Sequence, residues 1–432
     1  MTVTVFVASL LGAMALGMPI AYALLVCGLA LMAFMAATGL LPAFDSQILA
    51  QRFVDGADNF PLLAVPFFLL AGEFMNAGGL SRRIVNLAMA WVGHFRGGLG
   101  YVAVLAAVIM ASLSGSAVAD TAALSALLIP MMRQAGYQVN RSAGLIAAGG
   151  IIAPVIPPSI GMIIFGVAGN VSITKLFLAG IVPGLLMGVA IGATWFFLAR
   201  KENVQAAPKL PIAERLRITW EGSLALLLPV VFLGGMKFGV FTPTEAAVVA
   251  AVYSFVVGLF IYREMKARDL YGLVLAAGKT TAIVMFLVAA AMVSAWLITV
   301  ANIPAEVANL LAPFMENRML LMFVMMVIIV IVGTALDFTP TVLILTPVLM
   351  PVVLKAGIDP VYFGVLFIMN NAIGLITPPV GTVLNVVCGV ARISLDDAFK
   401  GVMPFFLAQL AVLFGLVLFP DVVLVPLKWL MR

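Results

Sequence analysis

Charged residues are scarce in this sequence. Lys, Arg, Asp and Glu together make up 9% of its 432 residues, whereas a soluble domain carries about 25%. Runs of about 20 apolar residues, the length of a membrane-spanning helix, recur along the whole chain, and the mean hydropathy is +1.22. Because no polar stretch is long enough to form a soluble domain, the sequence predicts an all-α polytopic membrane protein.

Residue types that carry redox, metal or nucleotide chemistry are scarce as well. The two cysteines, Cys27 and Cys388, lie in apolar segments, which argues against a disulfide framework or a metal cluster. The single histidine, His94, excludes a bis-histidine haem site. No GxxxxGK[ST] loop is present, so we expect no ATP hydrolysis by this chain. We therefore expect neither enzymatic activity nor a cofactor.

Proline is concentrated where a membrane helix should tolerate it least. The stretch "IAPVIPPSIG" (152–161) holds three prolines within five residues, and "LITPPVGT" (375–382) holds two more. The two stretches are related by a constant offset, since 378 − 157 = 221. The same offset matches Pro157 with Pro378, Pro158 with Pro379, Gly180 with Gly401, Pro183 with Pro404, Pro130 with Pro351, and Gly136 with Gly357. The chain is therefore predicted to contain two structural repeats.

The charge distribution indicates that the two repeats are inverted in the membrane. The segment after the first helix of repeat one carries Arg82, Arg83 and Arg96, whereas its counterpart at 301–319 holds two glutamates against one arginine. Positively charged loops stay on the cytoplasmic side, so the two counterparts should lie on opposite sides. Chance asymmetry among a few charges is the alternative explanation.

The predicted organisation has four parts. They are an N-terminal scaffold helix pair at 1–59; a first inverted repeat at 60–199, with an arm helix, a re-entrant hairpin at 98–134 and a broken helix at 140–170; a cytoplasmic loop and linker helices at 200–279; and a second inverted repeat at 280–432, with an arm helix, a hairpin at 319–355 and a broken helix at 361–391.

Each proline-rich break is paired with a polar hairpin tip. The tips are Ser114–Asp120 and Ala335–Thr341, and the offset aligns Ser116 with Asp337. Unpaired backbone at membrane depth is tolerated only where it is buried in protein or lines a wet cavity. Freed carbonyls suit Na⁺, and helix N-termini suit a carboxylate. The sequence therefore predicts an ion and substrate site at the bilayer midplane, with simple proline kinks as the alternative.

Three acidic side chains in apolar segments need an explanation, because a carboxylate in the bilayer is costly. Asp120 either caps a helix that starts at Thr121 or belongs to the site. Asp337 has no such clear structural role, and a cap through its own loop is the alternative. Glu73 is interpreted as a helix cap or as the partner of an arginine.

Five motifs in order resemble the large membrane subunit of the tripartite ATP-independent periplasmic (TRAP) transporters. They are "SGSAVADTAALSALLIPMMRQAGY", "IIAPVIPPSIGMIIFG", "FTPTEAAVVAAVYS", "ALDFTPTVLILTPVLMPV" and "NNAIGLITPPVGTVLNVVCGVARISL". The resemblance spans nearly the whole chain and implies an elevator-type, sodium-coupled importer of organic acids in the bacterial cytoplasmic (inner) membrane. It also implies two partners: a small four-helix membrane subunit, here on a separate chain, and a periplasmic substrate-binding protein.

The resemblance places two sodium sites at the paired tips and breaks, with Na⁺ as the coupling ion and the only metal expected. Sodium ligands are predicted at Ser114, Ser116, Gly150, Ala153, Val155, Ala335, Asp337, Asn371, Gly374 and Thr377. Substrate contacts are predicted at Ser116, Pro158, Ser159, Asp337, Asn370 and Pro379. For the two asparagines, a role as amides that only pack helices together is the alternative.

Two other functions are open at the level of the sequence. One is a stand-alone ion-coupled carboxylate transporter built on the same inverted-repeat plan. The other is a proton-conducting subunit of a respiratory complex. That function would require a line of Lys, Glu or His within the membrane, and the chain offers only scattered acids.

Overall fold

A computed structural model describes residues 1–41, 44–200, 204 and 208–431, and the regular structure in these residues is helical. The α-helices are α1 (Thr2–Ala15), α2 (Ile20–Ala37), α3 (Ser46–Ala57), α4 (Ala64–Ala77), α5 (Leu80–Val92), α6 (Gly98–Ser114), α7 (Ala117–Gln134), α8 (Val139–Gly150), α9 (Ile160–Gly169), α10 (Ile173–Ala199), α11 (Ile212–Glu221), α12 (Ser223–Lys237), α13 (Pro243–Val256), α14 (Leu270–Val300), α15 (Ile303–Leu311), α16 (Arg318–Ala335), α17 (Phe338–Lys355), α18 (Pro360–Gly374), α19 (Thr382–Ala391), α20 (Leu395–Leu418) and α21 (Asp421–Leu430).

The described helices are those of a polytopic membrane protein. Eight helical stretches in this part of the chain are long and apolar enough to cross a membrane. A ninth results if α11 and α12, which meet at an angle of 53°, form one span. The predicted fold class is thereby confirmed. Residues 201–203 and 205–207, within the predicted cytoplasmic loop, lie outside the described residues.

The helices of the two predicted repeats follow the 221-residue offset. Helices α7 and α17 match at both ends, since 338 − 117 = 221 and 355 − 134 = 221. The matched pairs α6 and α16, α8 and α18, α9 and α19, and α10 and α20 agree within three residues at each end. The peptide bonds Pro157–Pro158 and Pro378–Pro379, at equivalent positions, are both cis.

The two sets of helices pack against each other in a swapped arrangement. Helix α7 packs on α19 and α17 packs on α9, while α8 packs on α20 and α18 on α10. Arg133 Nη2 donates a hydrogen bond of 2.7 Å to the carbonyl oxygen of Ala391. Gly144 and Gly401 bring the backbones of α8 and α20 into contact, and a Cβ on Gly144 would collide with the Gly401 carbonyl. This reciprocal pattern is what a two-fold relation between repeats produces. The inverted orientation in the membrane and the domain boundaries stay predictions.

A second group of helices provides the opposite wall of the site. Helix α14 contacts α2, α3 and α4, and α13 packs along α4. Ser294 Oγ on α14 donates to the carbonyl oxygen of Leu24 on α2 at 2.9 Å. Gly56 on α3 lets that helix lie directly against Met292. Helices α4 and α14 are therefore held together as neighbours facing the paired repeats.

Two element boundaries differ from the prediction. The N-terminal part contains three helices rather than a pair, because Asp45 Oδ1 accepts from Gln47 N at 2.8 Å and starts a polar helix, α3. Helix α14 starts at Leu270, 280 − 270 = 10 residues earlier than expected. At 1.5 Å per residue its 31 residues span about 46 Å, well beyond a ~30 Å hydrocarbon core. The helix continues without interruption through the polar residues Lys279, Thr280 and Thr281.

Candidate ion and substrate site

The first hairpin reverses direction at Gly115. This residue has a left-handed backbone, with φ of 64°, a conformation that favours glycine. A Cβ at Gly115 would collide with the carbonyl oxygen of Pro158, so the tip lies directly on the first break. Ser116 then caps α7, and its Oγ accepts from Ala119 N at 3.4 Å.

Asp120 lies in the first turn of α7 and binds back to the end of α6. Ser114 Oγ donates to Asp120 Oδ1 at 2.5 Å and accepts from Ser116 N at 3.1 Å. The expected capping role of Asp120 is therefore wrong, because α7 starts at Ala117 and Ser116 occupies the cap position. The second carboxylate oxygen, Oδ2, is buried without a hydrogen-bond partner.

The first break separates α8 from α9 and is stabilised by Ser159. Its hydroxyl donates to the carbonyl oxygen of Pro154 at 2.5 Å and accepts from Met162 N at 3.1 Å, which caps α9. The carbonyls of Ala153 and Val155 accept no hydrogen bond from the described residues. The prolines that follow have no N–H to offer them. The break thus contains free backbone acceptors, as the sequence predicts.

The second tip is fastened to the second break by side chains. Asp337 takes the N-cap position of α17, equivalent to Ser116, but its side chain does not cap the helix. Instead, Asp337 Oδ1 accepts from Thr382 Oγ1, at the start of α19, at 3.1 Å. Asn371 Nδ2 on α18 donates to the carbonyl oxygen of Phe338 at 2.6 Å.

Both tips and both breaks meet at one cavity of about 440 Å³, closed on the other side by α4 and α14. The two tips and two breaks that the sequence pairs thus lie at one cavity, and its role as the ion and substrate site stays a prediction. The polar part of the wall consists of Glu73, Asn76, Ser114, Ser116, Thr280, Asp337, Thr339 and Thr382.

Four helices begin at the wall of this cavity. The first turns of α7, α9, α17 and α19 contribute Ala117, Ile160, Phe338 and Thr382 to its lining. Each helix N-terminus carries roughly half a positive charge and several free N–H groups. Among the described residues that line the cavity, none is Arg or Lys. The arrangement can therefore bind an anion through backbone and hydroxyl groups alone.

Buried oxygen atoms without partners lie around the tips and breaks. They are Asp120 Oδ2, Thr121 Oγ1, Asn370 Oδ1 and Asn371 Oδ1. Buried acceptors are ordinarily paired, and a set made only of oxygens suits a hard cation. Among the described residues, no group of three or more His, Cys, Asp or Glu side chains could hold a metal ion.

The predicted site residues fall into two groups. Ser114, Ser116 and Asp337 line the cavity. The others are absent from its described lining: Gly150, Ala153, Val155, Pro158, Ser159, Ala335, Asn370, Asn371, Gly374, Thr377 and Pro379. Asn370 is fully buried, and its Nδ2 donates to the carbonyl oxygen of Met326 in the middle of α16 at 2.7 Å. The assignment of individual ligands stays a prediction.

Sequence reasoning missed the contribution of α4 and α14. Glu73 and Asn76 on α4 and Thr280 on α14 line the cavity, whereas Glu73 was expected to cap a helix or pair with an arginine. Arg82 and Arg83, the basic residues that follow it, pair with Glu264 instead, at 2.8 and 2.5 Å. The available signal was a carboxylate within an apolar helix, which is a functional-site hypothesis by default.

A family model described as "Tripartite ATP-independent periplasmic transporter, DctM component" matches residues 7–422. The chain belongs to this family. The 2,3-diketo-L-gulonate TRAP transporter large permease of Escherichia coli is 58% identical over 430 residues, covering 100% of both chains. The sialic acid TRAP transporter large permease of Vibrio cholerae is 37% identical over 411 residues, covering 95% of each.

The family assignment agrees with the fold. The C4-dicarboxylate TRAP transporter large permease of Pseudomonas aeruginosa is 38% identical over 396 residues, 91% of this chain and 93% of that one. Among solved structures, the Alcanivorax borkumensis YdaH transporter aligns with a TM-score of 0.68 at 16% identity, over 94% of this chain and 98% of that one, which is a likeness of fold alone. The chain is thus a multi-pass TRAP large permease of the inner membrane, and this family is one of permeases rather than of enzymes.

Proposed function

We propose that this TRAP large permease imports an organic acid across the cytoplasmic membrane. A sodium gradient drives the import, and an elevator-type movement of the paired repeats carries the substrate across. The observation that carries the proposal is the convergence of two tips, two breaks and four helix N-termini on one 440 Å³ cavity. A transport site requires access to water, a place for the cargo and a place for the coupling ion, and these segments offer all three.

Anion binding follows from the four helix N-termini. An organic acid brings a carboxylate, which N–H groups at a helix start accept without a cationic partner. The hydroxyls of Ser116, Thr339 and Thr382 line the same wall and can bind further substrate oxygens. Since the relative with 58% identity is named for 2,3-diketo-L-gulonate, a sugar-derived acid is the first substrate to test.

Sodium coupling is supported by the unpaired oxygens beside each tip. Asn371 Oδ1 and the carbonyls of Ala153 and Val155, which accept no hydrogen bond from the described residues, offer ligands there. A sodium ion would also offset the negative charge of Asp337 at the cavity wall. Each sodium that moves inward at 100 mV contributes about 2.3 kcal/mol, so two ions more than compensate for a singly charged substrate.

Two partners complete the proposal. The substrate is delivered by a periplasmic binding protein, and a small four-helix membrane subunit on a separate chain supports the permease. Fusion of the two membrane subunits is the alternative arrangement in such transporters. This chain covers 62% of the isethionate TRAP permease of Oleidesulfovibrio alaskensis, and that protein is therefore long enough to contain both subunits.

The test is uptake into liposomes that contain the permease and the small subunit, with the binding protein and labelled 2,3-diketo-L-gulonate outside. We expect uptake with an inward sodium gradient and none when potassium replaces sodium or when the binding protein is omitted. Equal uptake in potassium would overturn sodium coupling, and uptake without the binding protein would favour a stand-alone transporter.

A further inference from the structure

The turn between α5 and α6 is surrounded by positive charge. It carries His94 and Arg96, and Arg96 Nη2 donates to the carbonyl oxygen of Arg200, just after α10, at 3.3 Å. Burial and the positive charges of Arg215 and Lys209 lower the pKa of His94, and α11, which carries Arg215, packs on α5, the helix that leads into the turn. Basic residues of the turn, of the end of α10 and of α11 are therefore grouped at this end of α5.

One of these cations, Arg215, is buried without a partner. Its exposed fraction is 7%, and its Nε and Nη2 atoms are buried with no hydrogen bond to the described residues. No carboxylate in the described part of the chain forms an ion pair with it. An unpaired buried guanidinium is costly, and buried charges are ordinarily paired. The site thus lacks a negative group.

A groove of about 500 Å³ opens beside the same turn. Arg96 and Arg200 stand at the groove, and the guanidinium of Arg200 lies 4.1 Å from the centre of the Phe196 ring. The rest of the groove is largely apolar and is lined by Val92, Phe95, Tyr101, Phe196 and Ala199. A polar, cationic part next to an apolar floor fits a molecule with an anionic head and a hydrocarbon tail.

Helix α11 marks the level of the membrane surface at this place. Its apolar residues Ile212, Leu216 and Trp220 form one stripe and are 62%, 56% and 80% exposed. Trp91 Nε1 on α5 donates to Thr219 Oγ1 on α11 at 2.9 Å, and this hydrogen bond joins α11 to α5. A polar helix with an exposed apolar stripe lies in the membrane interface. The basic residues predict that this interface lies on the cytoplasmic side, where anionic lipids give the membrane a negative surface potential.

We propose that the groove between α5 and α10 binds an anionic phospholipid of the cytoplasmic leaflet. The lipid phosphate pairs with the guanidinium groups of Arg96 and Arg200, and one acyl chain lies along Phe95 and Phe196. The negative headgroup also supplies the charge that the buried Arg215 lacks. Binding joins the C-terminal end of α5 to α10, and the lipid becomes a structural ligand of the permease.

The test compares thermal unfolding of the delipidated full chain in detergent after addition of phosphatidylglycerol, phosphatidylethanolamine or inorganic phosphate. We expect phosphatidylglycerol to raise the unfolding temperature by about 3 °C or more and the other two additives to leave it unchanged. The double variant Arg96→Gln, Arg200→Gln should lose this shift. Arg268→Gln is the matched control, since that arginine is 77% exposed and lies away from the groove; it should retain the shift.

Arg215→Met provides an independent readout. If Arg215 lacks a negative partner, removal of its charge should leave the lipid-free protein as stable or more stable, and the lipid-dependent shift should become smaller. Native mass spectrometry of the wild type should retain phosphatidylglycerol in preference to phosphatidylethanolamine, whether or not the double variant folds. Equal shifts with both lipids, an equal shift with inorganic phosphate, or a full shift in the double variant would each overturn the proposal.

Discussion

At the scale of single residues, Ser116 and Asp337 occupy equivalent positions but have different local roles. Ser116 caps α7 through Ala119 N, whereas Asp337 leaves the N-terminus of α17 uncapped and accepts from Thr382. Both line the cavity. The first tip therefore presents a neutral hydroxyl and the second a carboxylate, so the two halves of the cavity are chemically distinct although their helices match.

We predict that Asp337→Ala and, separately, Ser116→Ala abolish sodium-dependent uptake while the protein still folds in detergent. Asp337 has no capping hydrogen bond to lose, so its replacement should leave α17 intact and remove a predicted ligand together with the single hydrogen bond from Thr382. Loss of the Ser116 cap costs only about 1 kcal/mol. Uptake in liposomes and a size-exclusion profile in detergent measure the two effects.

Asp55→Ala is the matched control for these variants. Asp55 is exposed on α3, and its carboxylate binds only Gln51 Nε2, at 2.8 Å. Its removal should leave uptake unchanged. Wild-type rates in the Asp337 and Ser116 variants would contradict the assignment of both residues to the site.

Gly115 provides a test of the tip itself. We predict that Gly115→Ala lowers the unfolding temperature and abolishes uptake, because an L-residue in the left-handed region costs about 1–2 kcal/mol and its Cβ collides with the Pro158 carbonyl. Gly234→Ala is the control, since nothing lies within 4 Å of a Cβ there. A helical Ala at that position should stabilise by about 0.5–1 kcal/mol. Equal stability of the two variants would show that the tip tolerates a side chain.

At the scale of elements, the hairpins and broken helices could be predicted from sequence because local signals define their ends. Gly115 and Ser116 separate α6 from α7, and the prolines of "APVIPP" separate α8 from α9. Other features depend on tertiary structure. Glu73 and Thr280 line the cavity because α4 and α14 pack opposite the tips. No short-range sequence pattern encodes this packing.

We predict that the double change Pro157→Ala, Pro158→Ala removes sodium binding without loss of fold. It returns two N–H donors to the break, which can then pair with carbonyls such as those of Ala153 and Val155. Since a proline in a helix interior costs about 3 kcal/mol, stability without sodium should be unchanged or higher. Sodium should no longer raise it, although a ligand at 100 times its dissociation constant normally adds about 2.7 kcal/mol.

Pro130→Ala is the control for this change. Pro130 lies inside α7, away from both breaks. The variant should keep the full sodium-dependent increase in unfolding temperature. Full sodium stabilisation and uptake in the double variant would mean that the two prolines only bend the helix.

At the scale of the whole molecule, the inverted orientation of the repeats is open to direct labelling. In a background with Cys27→Ala and Cys388→Ser, we predict that Ala213→Cys reacts with an impermeant maleimide only from the cytoplasm and Glu316→Cys only from the periplasm. Ala213 and Glu316 are both exposed, so differences in reaction reflect the side of the membrane. Labelling of both positions from the same side would contradict the inverted arrangement.

The swapped packing of α7 on α19 and of α9 on α17 has a consequence for synthesis. The partner of α7 begins 382 − 117 = 265 residues later, and the partner of α9 begins 338 − 160 = 178 residues later. At about 5–20 residues per second, the ribosome needs roughly 9–53 s to deliver them. During that interval α7 and α9 are inserted in the bilayer without their permanent neighbours, so a chain truncated after residue 199 should be degraded where the complete chain accumulates.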